Sequence, residues 1–505
     1  CSHFPLTDMG NRMRFVARYG HMFRWCPGLD WLKWDGRRWA RLDDDGEVLR
    51  CAQETVAQIR YEAEALSGSD QDEVIEEKRS GDIMKSDLVA KWAMTSQASG
   101  HIRCIGPLAA AYLKVSVSDL DTDDWKLNVL NGTLHIRKTN DGSDYVLLQR
   151  HDPDDYITKL APVSYDPDAP CEQYDKFFQR VQPKPEMRRH LHIVGGISGI
   201  GDTSYHAMWF FWGKGRNGKG TWLETLAHVL GDYADSVDMS TFMDSGRARG
   251  GGDATPDRIP LIGARSVRAT EQKKKGTLDG AFIKAVTGGD EMTARDLNKP
   301  VIKFYPKFTL VMMGNYRPRI DETDEGLWGR LKLVPWGEYL PEAERDEALP
   351  KKLQAEASGI LNRYLDGLRD FMDNGLCVPD EVRQATEEFR GDSDVLGMFM
   401  DQCTKTAIGA KVQSSSLFEL FQAWAAFTAE TGKWTQTKFS KELRERGYVK
   451  KHSDLVWWLD IETTKSVGDF GTYDQDGNFR VKKRQDGDGA DPPAPDPDDP
   501  GFEGL

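Results

Sequence analysis

Apolar positions along the chain fall into runs whose spacing changes from region to region, and those changes predict a succession of elements. WLKWDGRRW (Trp31 to Trp39) reads as two short strands joined at an Asp35-Gly36 turn. The polar stretch from Gly68 to Asp82 predicts an exposed loop or helix end, and residues 83–118 carry helical spacing. KLNVLNGTLHIRK (Lys126 to Lys138) predicts a hairpin turning at Asn131-Gly132. His151 to Cys171 is dense in Pro and Asp, as in a linker laid along a surface, and helical spacing resumes from Tyr174 to Ile197. From about Ser204 to Pro335, strand-like runs alternate with helical ones, the pattern of an α/β nucleotide-binding domain. Glu342 to Asp373 is again helical, and from Asp394 to about Ile461 helices precede VWWLDI, as in a compact winged-helix module.

At 505 residues the chain is too long for one core, and about 150 residues per domain predicts three or so folding units. The expected partition is a mixed α+β region over 1–170, a nucleotide-binding core with leading helices over 171–340, a helical connection over 341–393, a winged-helix-like module over 394–465, and a flexible segment ending in an acidic tail over 466–505. A formal charge of −14 argues against a nucleic-acid partner only until its distribution is read. The stretch from Asp486 to Leu505 holds seven carboxylates and no Lys or Arg, so half the net charge lies in one Pro-rich segment with the composition of a disordered tail. The seven cysteines, Cys1, Cys26, Cys51, Cys104, Cys171, Cys377 and Cys403, form no CxxC pair and no zinc spacing, which fits a reduced, cytoplasmic protein. No apolar run approaches the ~18 residues of a membrane span, and the N-terminus has no signal-peptide pattern. The chain opens on Cys1 rather than Met, which leaves open what precedes it.

The chemistry is concentrated after AMWFFW (Ala207 to Trp212), a buried-strand pattern followed by GKGRNGKGT (Gly213 to Thr221) and then TWLETLAHVLG, a helical pattern with a Gly stop. Strand, glycine-rich loop and helix occur in the order a phosphate-binding loop requires. Gly213, Gly215, Asn217, Gly218 and Gly220 would let backbone N–H groups converge on phosphate oxygens, and Lys219 would reach the β and γ phosphates. Position 220 is Gly where the plain pattern has a hydroxyl, so Thr221 is the expected magnesium-supporting hydroxyl. The bland alternative is a Gly-rich turn between a strand and a helix.

Such a loop needs an acid on a nearby strand. LIGARSVRATEQ ends a strand-like run at Glu271, assigned to orient water, although a lone Glu after a strand is usually only a solvated strand end. VIKFYPKFTLVMMGN predicts paired strands ending at Asn315, placed to hydrogen-bond the attacking water or the γ-phosphate, where GN alone would signal a turn. TDEGLWGRLKLVPW presents Arg330 as an arginine finger for a neighbouring subunit, against the alternative of an Arg satisfied by a surface carboxylate.

GKGRNGKGT, ATE, KAVTGGDEMTAR, MMGNYRPRI and DEGLWGRLKLVPW, in that order, resemble the motifs of superfamily 3 helicases, in the branch of phage and plasmid primase-helicases that includes the poxvirus primase-helicase. TDMGNRMRF, WDGRRW, LNVLNGTLHI and DYITKLAPVSYDP are similar to the region ahead of that helicase, and LFELFQAW with FSKELRERGYVKK to its C-terminal segment. The resemblance implies an AAA+-like P-loop core, ATP with Mg²⁺, and Lys219, Thr221, Glu271, Asn315 and Arg330 in the roles given above. Gly329 stands where relatives often carry a second Arg, which leaves Arg319 as an alternative finger.

Arg295, Lys299 and Lys303 surround a hairpin pattern at Asn298-Lys299-Pro300, which the resemblance implies would line a central channel and follow single-stranded or forked DNA. It also implies a homohexameric ring, 3′ to 5′ travel, a replication polymerase or primase as partner, and a bacterial host cytoplasm for a phage- or mobile-element-encoded protein. Without it, such a charge cluster is more often a solvated face. Two other readings stand beside this one. In the first, the chain is the helicase portion of a primase-helicase, for which Ser118 to Trp125 (SDLDTDDW) is the nearby acid-rich stretch. In the second it is an ATP-stabilised DNA-binding initiator that does not unwind.

Overall fold

The computed structural model describes residues 3–79, 81–137, 145–246, 254–270, 276–297, 301–320, 325–428, 434–474 and 479–482. Two compact units divide the chain, Cys1–Glu387 and Glu388–Leu505.

The first unit begins with helices Asp8–Tyr19, Gly46–Ala57 and Ser99–Ala110, which close over Phe15, Val48, Ile105 and Leu113. Strands Phe23–Cys26, Asp30–Trp34 and Trp39–Arg41 form an antiparallel sheet. Its second turn is the expected one: the Asp35 carboxylate accepts from the amides of Arg37 and Arg38 at 2.8 and 2.9 Å, and Gly36 takes φ 95°. The hairpin Lys126–Val129 with Gly132–Ile136 likewise turns at Asn131, whose side chain both donates to and accepts from the backbone of Tyr165 at 2.9 Å. That bond lies in the Pro- and Asp-rich segment, which buries Ala161 and Val163 and is stitched to its neighbours by backbone bonds from Trp39 and Leu130. The polar stretch before residue 83 contains a short exposed strand, Val74–Glu76, that pairs with Ile83–Met84, where a loop or helix end was expected. Local pairing satisfies backbone groups that the polar side chains leave without a core to join.

Beyond it lie helices α1 (Glu172–Val181) and α2 (Pro185–Ile197), then β1 (Met208–Trp212), α3 (Lys219–Leu230), β2 (Ala234–Asp238), β3 (Ser266–Thr270) and α4 (Gly280–Gly288). They are followed by β4 (Met292–Ala294), β5 (Ile302–Phe304), β6 (Thr309–Gly314), α5 (Glu325–Arg330), β7 (Leu331–Pro335), α6 (Leu349–Ala355) and α7 (Ala357–Asn374). Five of these strands make one parallel sheet in the order β2-β3-β6-β1-β7. Met208, Trp209, Phe210 and Phe211 are fully buried, as an unbroken apolar run should be in a parallel strand covered on both faces. α2 crosses α7 so closely that a Cβ at Gly196 would stand 2.4 Å from the Tyr364 carbonyl oxygen.

One sequence expectation fails here. VIKFYPKFTLVMMGN does hold two strands, but they do not pair with each other. β5 pairs antiparallel with β4, and β6 joins the central sheet. Pro306 lies between them and has no N–H to extend a ladder.

In the second unit come α8 (Val395–Cys403), β8 (Thr404–Gln413), α9 (Ser414–Phe427), α10 (Gln436–Glu445), β9 (Lys450–His452) and β10 (Val456–Thr463). The strands form an antiparallel sheet ordered β8-β10-β9 over a core of Phe399, Phe421, Trp424, Phe439 and Trp458. β8 falls where only helices were expected; its pairing with β10 breaks between Thr406 and Lys411, around Gly409 at φ 83°. Residues 467–473 and 479–482, expected within a flexible segment, contain a short helix, Val467–Phe470, and a hairpin of Gly471–Tyr473 with Phe479–Val481. Phe470 anchors them, packing its ring 5.5 Å from that of Phe427. The acidic tail lies outside the described residues.

Candidate nucleotide site

β1 delivers the chain to residues 213–218 and α3 leaves them at Lys219. Gly218 turns the loop into the helix at φ 84°, and a Cβ there would lie 2.7 Å from Val181 Cγ1 of α1, so sterics and backbone conformation both call for glycine. Gly220 differs, for a Cβ there would meet nothing within 4 Å. Thr221 sits half-buried in the first turn of α3. The segment that leaves β7 (Leu331–Pro335) braces the loop. Trp336, just past β7, donates its N–H to Trp212 O at 2.7 Å, and Leu340 donates to Arg216 O at 2.9 Å.

Lys219 is 4% exposed. Its Nζ donates to Gly213 O at 2.7 Å and to Asn217 Oδ1 at 3.1 Å. Asn217 is held in turn, its Nδ2 donating to Lys214 O at 2.6 Å and to Trp336 O at 2.8 Å. Burial pushes the Lys219 ammonium down to about 8, and among the described residues no carboxylate offsets that push. A buried cation held by neutral oxygens, at the N-terminus of a twelve-residue helix, is an arrangement that an anion would complete. These residues therefore fit a phosphate group.

Strand register places the second expected residue. Gly314 of β6 pairs with Trp212 of β1, so Asn315, the next residue and an exposed one, stands beside the start of the loop at Gly213. β3 ends at Thr270, opposite Met313 of β6. Glu271 follows Thr270 but lies outside the described residues; β6 separates β3 from β1 in the sheet. Sequence reasoning passed over Arg317, whose guanidinium stacks 4.2 Å from the Trp212 ring centre, at the exit of β1. The signal was its place two residues after Asn315.

Arg330 is half-buried at the end of α5, its Nε donating to Thr287 Oγ1 at 3.0 Å and its Nη1 to Gly326 O at 2.8 Å. It is bonded to α4 and to its own helix rather than to a surface carboxylate in these bonds. Arg319, the alternative finger, is exposed, with its backbone tied to Gly276 and Leu278. A Cβ at Gly329 would meet nothing within 4 Å, so a larger residue fits there.

The expected basic hairpin is present as β4 and β5, paired antiparallel with Thr293 opposite Lys303. Lys299 lies outside the described residues. Arg295 is half-buried, its amide bonded to Thr255 Oγ1 at 3.0 Å. Lys303 forms an exposed ion pair with Glu291 at 2.9 Å, which raises the lysine's pKa and lowers the carboxylate's. The Ser118 to Trp125 acids serve local structure: Asp119 accepts from the Ser116 amide, Asp121 from Thr158, Asp123 from the Trp125 amide, and Asp124 pairs with Lys307 at 2.6 Å. Among the described residues no group of three or more His, Cys, Asp or Glu could hold a metal ion, and no helix is long and apolar enough to cross a membrane.

The class that fold and site define is an α/β protein on a five-stranded parallel sheet, consistent with a P-loop-like core. Residues 12–183 match the family profile described as D5 N terminal like. A protein of Acanthamoeba polyphaga mimivirus, provisionally named a helicase, is 27% identical over 54% of this chain and 30% of its own length. One of Invertebrate iridescent virus 6, also provisionally named a helicase, is 22% identical over 76% of this chain and 42% of its own. A third, of African swine fever virus and provisionally named a primase, is 28% identical over 43% of this chain and 22% of its own. These matches support a primase-helicase family of the D5 type, with the profile covering residues 12–183. It spans under half the length of each of these relatives. A solved structure, the A form apo structure of the NrS-1 C terminal region, superposes on 59% of this chain and 78% of its own, at 11% identity and a TM-score of 0.35.

Proposed function

We propose that this chain is the ATP-dependent helicase portion of a DNA primase-helicase. The observation that carries the reading is the buried Lys219 ammonium, held by the loop's own oxygens at a helix N-terminus with Asn315 in register beside it. ATP is the proposed substrate. Lys219 would exchange its bonds to Gly213 O and Asn217 Oδ1 for phosphate oxygens, which would return its proton affinity toward the ordinary lysine range. Asn315 would orient the attacking water or the γ-phosphate, and Glu271 would take the water's proton. Mg²⁺, supported by the Thr221 hydroxyl, would neutralise charge on the phosphates.

Arg330, released from Thr287 and Gly326, or the exposed Arg319, would reach the triphosphate of a neighbouring copy, which gives the reading its homohexameric ring. Arg295, Lys299 and Lys303 on the β4–β5 hairpin would carry single-stranded DNA, with the second unit as a winged-helix module at the replication fork. The relatives come from large DNA viruses, and a cytoplasmic site of viral or mobile-element replication fits them. The African swine fever virus relative's name favours one further reading, in which this chain works beside a primase domain of the same protein.

ATP hydrolysis with and without single-stranded DNA tests the proposal, for the wild type beside Lys219→Ala and Glu271→Gln. The expected outcome is DNA-stimulated turnover that both variants lower at least about 100-fold. ATP binding without turnover in the wild type would leave the ATP-stabilised initiator as the better account.

A further inference from the structure

The second unit presents a sheet face that the nucleotide-site reading does not use. Trp458 is fully buried in the unit's core, and because side chains alternate along a strand, Trp457 and Leu459 of β10 lie on the opposite, outer face. Each has one cationic register partner, and Gln413 of β8 faces Trp457 on its other side. Lys411 of β8 pairs with Leu459, and Lys451 of β9 pairs with Trp457. Both lysines are exposed, and Lys411 Nζ stands 4.6 Å from the Trp457 ring centre. The neighbouring Val449, 57% exposed, bonds through its carbonyl to the Leu459 amide and extends the apolar strip. The acids of β10 are occupied elsewhere, since Asp460 accepts from the Gly409 amide at 2.7 Å and Glu462 pairs with Lys405 at 3.2 Å.

An aromatic ring between two lysines, on a half-exposed strand of a chain with formal charge −14, is a local inversion of the molecule's own charge. Lysines on an open face attract phosphates, and an indole face accepts any base by stacking, so the combination suits a strand whose bases are not already paired. We infer that the outer face of the β8-β10-β9 sheet binds single-stranded nucleic acid, with a base stacked on Trp457 and the flanking phosphates neutralised by Lys411 and Lys451. A duplex would offer this flat face phosphates but no free base.

The inference rests on the second unit alone and does not depend on the nucleotide site. Its test is the full chain without nucleotide, titrated with labelled oligo-dT, oligo-U and a duplex of equal length. Trp457→Ala should weaken binding to both single strands about tenfold and leave the duplex unchanged. Trp457→Phe should restore most of the loss, and Lys411→Ala and Lys451→Ala should each reduce the salt dependence of single-strand binding by about 0.7 in slope. A difference between the dT and U arms would decide which nucleic acid the face prefers. Unchanged single-strand affinity in a Trp457→Ala protein with wild-type thermal unfolding would overturn the inference, as would losses from the lysine variants that are equal for duplex and single strand. DNA-independent ATP hydrolysis, measured on the same samples, reports separately on the nucleotide site.

Discussion

Lys219 keeps its charge in the folded protein against its surroundings. Its pKa falls from the ordinary 10.5 to about 8 because the ammonium is buried. Below pH 8 both folded and unfolded chains carry the proton, so the destabilisation is fully present there. Between about 8 and 10.5 the folded chain releases the proton while the unfolded chain keeps it, and stability rises with pH across that window. The penalty is about 3 kcal/mol before the two neutral hydrogen bonds offset part of it. Lys219→Met should therefore unfold at a higher temperature than wild type at pH 7 without nucleotide, with the gap narrowing toward pH 10. A variant less stable than wild type at pH 7 would show that the two oxygen acceptors outweigh desolvation. At this scale the sequence placed Lys219 at the junction of loop and helix, because a glycine-rich loop between a strand and a helix leaves few places for it, and Asn315 just past a strand end. It could not locate the bonds of Arg330 to Thr287 and Gly326, or of Lys303 to Glu291, because those partners are fixed by packing and by strand register.

Elements were legible where a turn residue announced them. Asp35-Gly36 and Asn131-Gly132 both mark real hairpins: Asp35 and the left-handed Gly36 satisfy the first turn locally, while Asn131 is held by the backbone of Tyr165. They were illegible where pairing joins segments far apart in sequence. β6 has its partners in β3 and β1, and β8 has its partner some fifty residues on in β10, so no local pattern reports either pairing. The approach of α2 to α7 is of the same kind, since two adjacent glycines in a helix signal weakness until the facing helix is known. A Cβ at Gly196 would fall 2.4 Å from Tyr364 O and 2.5 Å from Leu368 N, and backbone cannot rotate away. Gly196→Ala should thus destabilise the first unit by about 1–3 kcal/mol, overriding the ~1 kcal/mol that Ala gains over Gly in a helix. Urea unfolding measures it, and a stabilised variant would show that the two helices can separate without loss.

The whole chain divides at residues 387 and 388 into units with separate apolar cores. The segment 388–505, produced alone, is accordingly expected to unfold cooperatively on heating, with the tertiary signals of Trp424 and Trp458 lost in one transition. A gradual, non-cooperative loss would mean that its core is incomplete without the first unit. By itself the sequence determined the class of the central sheet and the place of the glycine-rich loop, because each is written in contiguous residues: a buried run, a spacing of glycines. Only the tertiary structure decided that β6 lies between β1 and β3, that Lys303 is paired, that residues 467–473 and 479–482 are folded, and that Trp457 shares an open face with Lys411 and Lys451. Each of those depends on which distant segments hydrogen-bond side by side, and a backbone ladder carries no side-chain signature of its partner.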